Sequence, residues 1–305
     1  MTPHRASAWV LNLDAEYELA SPDAHTSSAR VNQRLPELAK VLAPLFGAGD
    51  VVLGEKDVLA KVGADAPMTA DRQGAYVGRA WCPTPRAIAR LEAAGAAPIP
   101  APPFSVLRHV NHRRFSAELG QTLPGATFVT TESELRATRR APTPSGHWLV
   151  KRPFGFAGRG RRRIAAGDRD ASAESWLAAS VRGGEGVQVE PWVAIVADYA
   201  LHGFVAPDRA VTLGEPTRQI CDEHGAWKGT AIAVDLAPEE AVSLEDSARI
   251  AGEALAIAGY FGPFGVDAYR WQDGARTRFN ARSEINARYS MGWAIGMRGR
   301  RVDLA

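Results

Sequence analysis

The chain has 305 residues, of which 46% are hydrophobic and 23% charged, the proportions of a folded globular protein with room for two or three compact units. Its 36 basic and 34 acidic residues leave a net charge of +2, so no global field recommends nucleic acid or an anionic membrane as partner. The two cysteines, Cys82 and Cys221, lie far apart with no second metal-type ligand spaced around either, which speaks against a disulfide framework and a zinc site.

At the start, Trp9 to Leu13 reads as a short buried strand. It is too soon interrupted by Asp14 and Glu16 to serve as a signal peptide, and no run approaches the roughly 20 apolar residues of a spanning helix, so a cytoplasmic location is expected. Val31 to Leu45 has helical spacing through Leu35, Leu38, Leu42 and Leu45, and Asp50 to Gly54 reads as a second strand. Thr84 to Ala94 reads as a helix with a threonine cap, a proline in its first turn and Gly95 beyond its end. Residues 1–104 therefore form an expected α/β domain, closed by the proline-rich connector Ala96 to Pro103.

Beyond the connector a helix is expected over Asn111 to Leu119, a strand over Gly125 to Val129, and a helix over Thr131 to Arg139 that opens on a capping box. Trp148 to Lys151 is a strand that runs into Pro153-Phe154-Gly155-Phe156-Ala157-Gly158-Arg159-Gly160, with Arg162 to Ile164 returning as the second arm of a hairpin. Ser172 to Ser180 reads as a short helix and Gly186 to Val193 as a strand that Pro191 stops; the expected boundary between the second and third units is 185/186. Tyr199 to Val205 and Ala210 to Leu213 look like sheet, and Leu244 to Ala258 is an amphipathic helix.

Two segments carry chemistry. In the glycine-rich hairpin, Gly155, Gly158 and Gly160 lack a Cβ, so backbone N–H groups can approach a phosphate chain while Lys151 supplies charge. The segment is neither a Walker A loop nor a dinucleotide fingerprint. Arg159, Arg161, Arg162 and Arg163 lack an aromatic stacking platform, which argues against a nucleic-acid groove. The second segment joins Asp267 to Arg282, Glu284, Asn286 and Arg288 across a turn near Gln272 to Ala275. Oxygen ligands of this kind suit magnesium shared with nucleotide phosphates. A two-residue turn at Asp273-Gly274 would set Asp267 opposite Asn280, so a longer loop is expected to bring Glu284 opposite Asp267 instead.

Lys151 with its glycine-rich loop, then Glu190-Pro191-Trp192-Val193, then Asp267, then Glu284-x-Asn286-x-Arg288, in that order, resembles the ATP-grasp superfamily from about residue 105 onward. The resemblance implies an N-terminal α/β, Rossmann-like domain (1–104) and two α+β subdomains (105–185 and 186–305) that clasp ATP. It implies that Lys151 contacts phosphates and that Gly155, Phe156, Ala157, Gly158 and Gly160 close over them. Glu190, Pro191, Trp192 and Val193 would form the hinge at the adenine, and Asp198 would meet the ribose. Asp267, Glu284 and Asn286 would hold one or two Mg2+ ions, and Arg288 would steady a substrate carboxylate or acyl phosphate, with Arg218 as a further substrate contact. Many members carry an Asp-Lys pair before the grasp; here the stretch is Asn111-His112-Arg113-Arg114, and Arg113 takes the lysine's task, with a different donor geometry.

By that resemblance the activity is ATP-dependent carboxylate–amine ligation through an acyl phosphate, with a small acid, an amino acid among the options, and an amine as substrates. A small-molecule kinase and a non-catalytic ATP-binding module are the competing readings. Neither nucleic acid nor membrane is an expected partner, and a homodimer is one option for the assembly. His112, His147, His202 and His224 read as surface or packing residues.

Overall fold

The computed structural model describes residues 6–23, 33, 37–54, 59–61, 76–155, 159–167, 170–221 and 227–304. Three sheets organise them.

In the first, β1 (Ser7–Val10) lies parallel to both β2 (Val51–Leu53) and β4 (Val77–Ala80), and β3 (Leu59–Lys61) runs antiparallel on the edge. All four β1 residues are buried, as a strand covered on both faces should be. Helix α1 (Ala15–Ala20) follows β1. Of the helix expected over Val31 to Leu45, residues 37–41 are helical and Ala43–Leu45 form a 3-10 turn at Pro44; residues 31–32 and 34–36 lie outside the described residues. Helix α2 (Pro85–Ala93) starts as expected, with the Thr84 side chain accepting from the Ala87 N–H and proline in the first turn. The connector from Pro98 to Pro103 has neither helix nor strand.

The helix expected over Asn111 to Leu119 is α4 (Arg113–Glu118), and an unexpected helix, α3 (Phe104–Asn111), precedes it. His112 is extended between them, and its ring accepts from the Arg114 N–H, so it caps the start of α4. Helix α5 (Glu132–Arg140) carries the expected capping box between Thr131 and Glu134. The second sheet is antiparallel throughout, in the order β5 (Thr127–Val129), β8 (Val187–Pro191), β6 (His147–Lys151), β7 (Arg161–Ala165). Trp148, Val150, Val187 and Val189 turn one face toward Leu135 of α5 and Leu177 and Val181 of α6 (Ala171–Arg182). Alternation leaves Leu149, Lys151, Gln188 and Glu190 on the other face. The boundary expected at 185/186 falls just before β8, yet β8 pairs with β5 and β6, so this sheet runs on to Pro191.

The third sheet has the order β12 (Trp227–Ile232), β11 (Thr217–Cys221), β9 (Ala194–Val205), β13 (Gly262–Asp273), β14 (Arg276–Asn286), with β10 (Val211–Leu213) also against β9. Tyr199, Leu201, Val266 and Ala268 face α7 (Pro238–Ile257), which buries Leu244, Ala248, Ala251 and Leu255. The opposite face carries Asp198, Ala200, His202, Gly265, Asp267 and Glu284. Trp9, Leu13 and Leu45 share one apolar cluster with Leu201, Tyr289 and Trp293, which ties the N-terminal sheet to this one.

The β13–β14 hairpin corrects one expectation. No longer loop is present: Asp273 pairs with Arg276 across Gly274-Ala275, with Gly274 in the left-handed region at φ +59°. Between the pairs Tyr269–Asn280 and Asp267–Glu284, β13 advances two residues and β14 four. A bulge in β14, rather than the turn, places Glu284 opposite Asp267.

Candidate nucleotide and metal site

Asp267 and Glu284 face each other across β13 and β14, and the Asn286 amide donates to Asp267 Oδ2 at 2.9 Å. Burial, reinforced by the charge of Glu284, pushes the Asp267 carboxyl up to about 7. Glu284 behaves oppositely: burial works against its charge, but Arg113, Lys151 and Arg288 together hold it below the usual carboxylate range. Asp198 sits two residues from the position opposite Asp267, on the same face, and burial raises its pKa while Arg161 opposes the shift. Among the described residues no three His, Cys, Asp or Glu side chains form a metal-sized group. The set therefore comprises two acids and an amide, which fits an ion completed by phosphate oxygens better than an all-protein cage.

The second sheet delivers the cations. Lys151 Nζ lies 2.5 Å from Glu190 Oε1, on the face that looks toward the third sheet. Arg113 opens α4 and its guanidinium meets Glu284 at 3.0 Å, while its Nε donates to the Arg152 carbonyl and its backbone N–H to that of Pro153. A helix start thus pins Arg113 to the strand end that carries Lys151. A Cβ at Gly155 would come within 2.8 Å of the Arg159 carbonyl and 3.3 Å of Arg113, so only glycine lets the loop close on itself here. Gly160 sits at φ +76° and its carbonyl accepts from Arg152 N–H at 2.7 Å. Phe156, Ala157 and Gly158 lie outside the described residues.

The expected hinge joins β8 to β9. Glu190 and Pro191 end β8, the Trp192 N–H donates to the His147 carbonyl at 3.0 Å, and the Trp192 carbonyl accepts from Ser145 Oγ at 2.6 Å. Val193 packs against Leu123, Tyr269 and Trp271. A cleft of about 460 Å³ opens along α4, lined in part by Arg113, Gln188, Glu190, Asn280, Arg282 and Glu284, a volume in the range of small-ligand sites.

Two expected residues stand differently. Arg288 reaches the site face but is ion-paired with Glu16 of α1 and also donates to the Tyr289 carbonyl, so its guanidinium is not open to an incoming carboxylate in this conformation. Arg218 does not join the cluster. It pairs with Tyr199, whose side chain is on the α7 face, and makes an ion pair with Asp235 at 2.7 Å. Sequence reasoning missed Glu16, because nothing local marks a glutamate in a short helix as the partner of an arginine 272 residues later. His202 is buried to 2% exposure, in keeping with its reading as a packing residue, but its contact with the hydroxyl of Ser290 was not anticipated. A histidine flanked by alternating apolar residues on β9 was the available signal. His112 is half-buried against Glu185 at 3.1 Å, His147 is half-buried at the start of β6, and His224 lies outside the described residues.

No family model matches the sequence, and no curated protein does. Solved structures do match over nearly the whole chain. D-alanyl-alanine synthetase A from Vibrio cholerae superposes with a TM-score of 0.54 at 14% identity, covering 96% of this chain and 92% of that one. This chain has the ATP-grasp fold. Carboxyaminoimidazole ribonucleotide synthase from Aspergillus clavatus, solved with ATP, matches this ATP-grasp chain with a TM-score of 0.52 at 15% identity, covering 94% of this chain and 71% of that one. Rhizobium etli pyruvate carboxylase matches with a TM-score of 0.56 at 14% identity over 96% of this chain and 27% of that one. Identities this low carry the architecture and not the substrates.

Proposed function

We propose that the protein is an ATP-dependent ligase that activates a small carboxylic acid as an acyl phosphate and joins it to an amine. The observation that carries the reading is the convergence of Asp267, Glu284 and Asn286 from one sheet with Lys151 from another and Arg113 from the start of α4. The two neighbours solved as synthetases support it at the level of architecture.

Asp267, Glu284 and Asn286 would hold Mg2+. Burial and the facing Glu284 push the Asp267 carboxyl up to about 7, so a bound cation would favour its charged form. When bound, the ion would neutralise phosphate charge. The chain's own residues would do the rest: Lys151 and Arg113 hold phosphate oxygens where negative charge accumulates, and the Gly155 to Gly160 loop keeps water from the activated acid. In the reaction, a carboxylate oxygen bonds to the γ-phosphorus as the β–γ bridge breaks and ADP leaves. The amine nitrogen then attacks the acyl carbon, phosphate leaves, and the amine gives up a proton to solvent or phosphate.

The Arg288–Glu16 pair supports a second reading, a small-molecule kinase, because Arg288 is the residue that favours a carboxylate substrate and it is already neutralised. Incubation with ATP, Mg2+, pooled carboxylic acids and hydroxylamine separates them. Hydroxamate with ADP and phosphate is the expected result. A stable phosphorylated product without hydroxamate means a kinase, and no ADP across the pool refutes both readings.

A further inference from the structure

His202 lies on β9 beneath the third sheet's site face, 2% exposed, and the backbone is shaped around it. A Cβ at Gly265 would sit 3.0 Å from its Nδ1, one at Gly292 2.8 Å from its Nε2, and one at Gly296 2.6 Å from its Cδ2. Three glycines therefore leave the imidazole room in one orientation.

The hydrogen bonds around that ring have a fixed polarity. Thr217 Oγ1 lies 3.1 Å from the Ala200 carbonyl, which can only accept, so the threonine proton is committed there. Thr217 Oγ1 must then accept from His202 Nε2 at 3.2 Å, which places the ring proton on Nε2. Burial lowers the pKa of His202 to about 4, so near neutrality the ring carries one proton only. Nδ1 is consequently an acceptor, and Ser290 Oγ, 3.1 Å away, donates to it. The serine proton is thereby directed inward, and what Ser290 offers its surroundings is lone pairs.

Those surroundings are a cavity of about 160 Å³ in which the described lining includes Leu45, Trp227, Thr230, Met291 and Ile295 beside Ser290, with no charged side chain. Its position follows from register. Along β9, Asp198 pairs with Tyr269, Ala200 with Asp267 and His202 with Gly265, each step about 7 Å along one face. Ser290 Oγ lies 3.4 Å from where a Gly265 Cβ would be, one step past Asp267 and on the far side of it from Asp198. On the ligase reading, with the ribose at Asp198 and the metal at Asp267, the terminal phosphate of a nucleotide would be directed toward Ser290.

We propose that this cavity seats the nucleophile of the second half-reaction, and that Ser290, oriented by His202, accepts a hydrogen bond from the nucleophile's N–H or O–H. The assignment to the nucleophile rests on the ligase reading above. The chemical class follows from the described lining: a small amine with an apolar, uncharged body, held in its neutral and reactive form because those described residues offer an ammonium group no counter-ion. His202 is a positioning residue, acting only through Ser290.

Two isomeric probes test the polarity independently of turnover. Isoamyl alcohol and isobutyl methyl ether have the same formula, but only the alcohol donates a hydrogen bond. Titrated against the full chain by ligand-observed saturation-transfer NMR, the alcohol should bind about tenfold more tightly than the ether. Ser290→Ala and His202→Asn should erase the preference while the ether still binds, and Ile295→Trp should block both. Equal binding of the isomers, or binding of neither to the wild type, overturns the proposal. In the hydroxamate assay, Ser290→Ala and Ile295→Trp should raise KM for hydroxylamine about tenfold and leave KM for ATP unchanged; an unchanged hydroxylamine KM overturns the assignment to the nucleophile. If the wild type prefers the alcohol yet forms no hydroxamate, the ligase reading fails and with it the nucleophile, while the donor-binding pocket stands.

Discussion

Replacing Asp267 with asparagine should stabilise the nucleotide-free protein at alkaline pH while abolishing Mg2+-dependent nucleotide binding. The carboxyl is pushed up to about 7 in the fold, against about 3.9 for an unperturbed aspartate. A folded pKa above the unfolded one means that the protonated form favours folding: the contribution is complete below about pH 4 and is lost as the pH rises to 7. At 1.36 kcal/mol per unit over roughly 3 units, the ionised carboxylate costs about 4 kcal/mol above pH 7. Asp267 keeps partial exposure, and solvent screening reduces this to about 2 kcal/mol. Asparagine resembles the protonated acid, and its amide oxygen can accept from Asn286 as the carboxylate does now. Urea unfolding of both proteins at pH 8 and pH 5 should show a gain of about 2 kcal/mol for Asp267→Asn at pH 8, shrinking to less than about 1 kcal/mol at pH 5. A loss at pH 8, or a gain of equal size at both pH values, would refute the claim that burial and the facing Glu284 oppose the charge of Asp267.

Lys151→Met should weaken nucleotide binding by about 10- to 100-fold in a calorimetric titration, the worth of one charge-assisted hydrogen bond, and should destabilise the free protein by about 3 kcal/mol because Glu190 is left buried without its partner. Glu16→Gln should cost about 3 to 5 kcal/mol in denaturant unfolding by stranding buried Arg288, whereas Glu16→Leu combined with Arg288→Met should fall within about 1 kcal/mol of the wild type. Thr131→Ala should cost about 1 kcal/mol and leave nucleotide affinity unchanged, since it removes only the capping box of an outer helix.

Much of the candidate site was legible in the chain because its members are carried on regular strands. Period-two alternation assigns Glu284 and Asn286 to one face, a hairpin turn brings Asp267 to the same face, and the ordered motifs from Lys151 to Arg288 suffice to suggest the architecture. The pairing of Asp267 with Glu284 was anticipated but for the wrong reason. Turn chemistry is local, whereas the bulge that sets the register is fixed by what packs on both sides of β14. Arg113 was singled out by its place before the grasp, and its meeting with Glu284 depends on a helix start that His112 caps.

What the amino-acid sequence determined by itself, then, is the set of faces and caps: which residues share a strand side, where helices α2 and α5 begin, and that acid and amide side chains gather on the last long strands. These follow from backbone periodicity and from hydrogen bonds spanning three or four residues. Only the tertiary structure decided which charges meet. Arg288 finds Glu16 across 272 residues, Arg218 turns to the helix-covered face, and Ser290 reaches a histidine 88 residues earlier inside a cradle of glycines. Such contacts are fixed by how sheets and helices pack, and an ion pair or a directed proton has no sequence periodicity of its own.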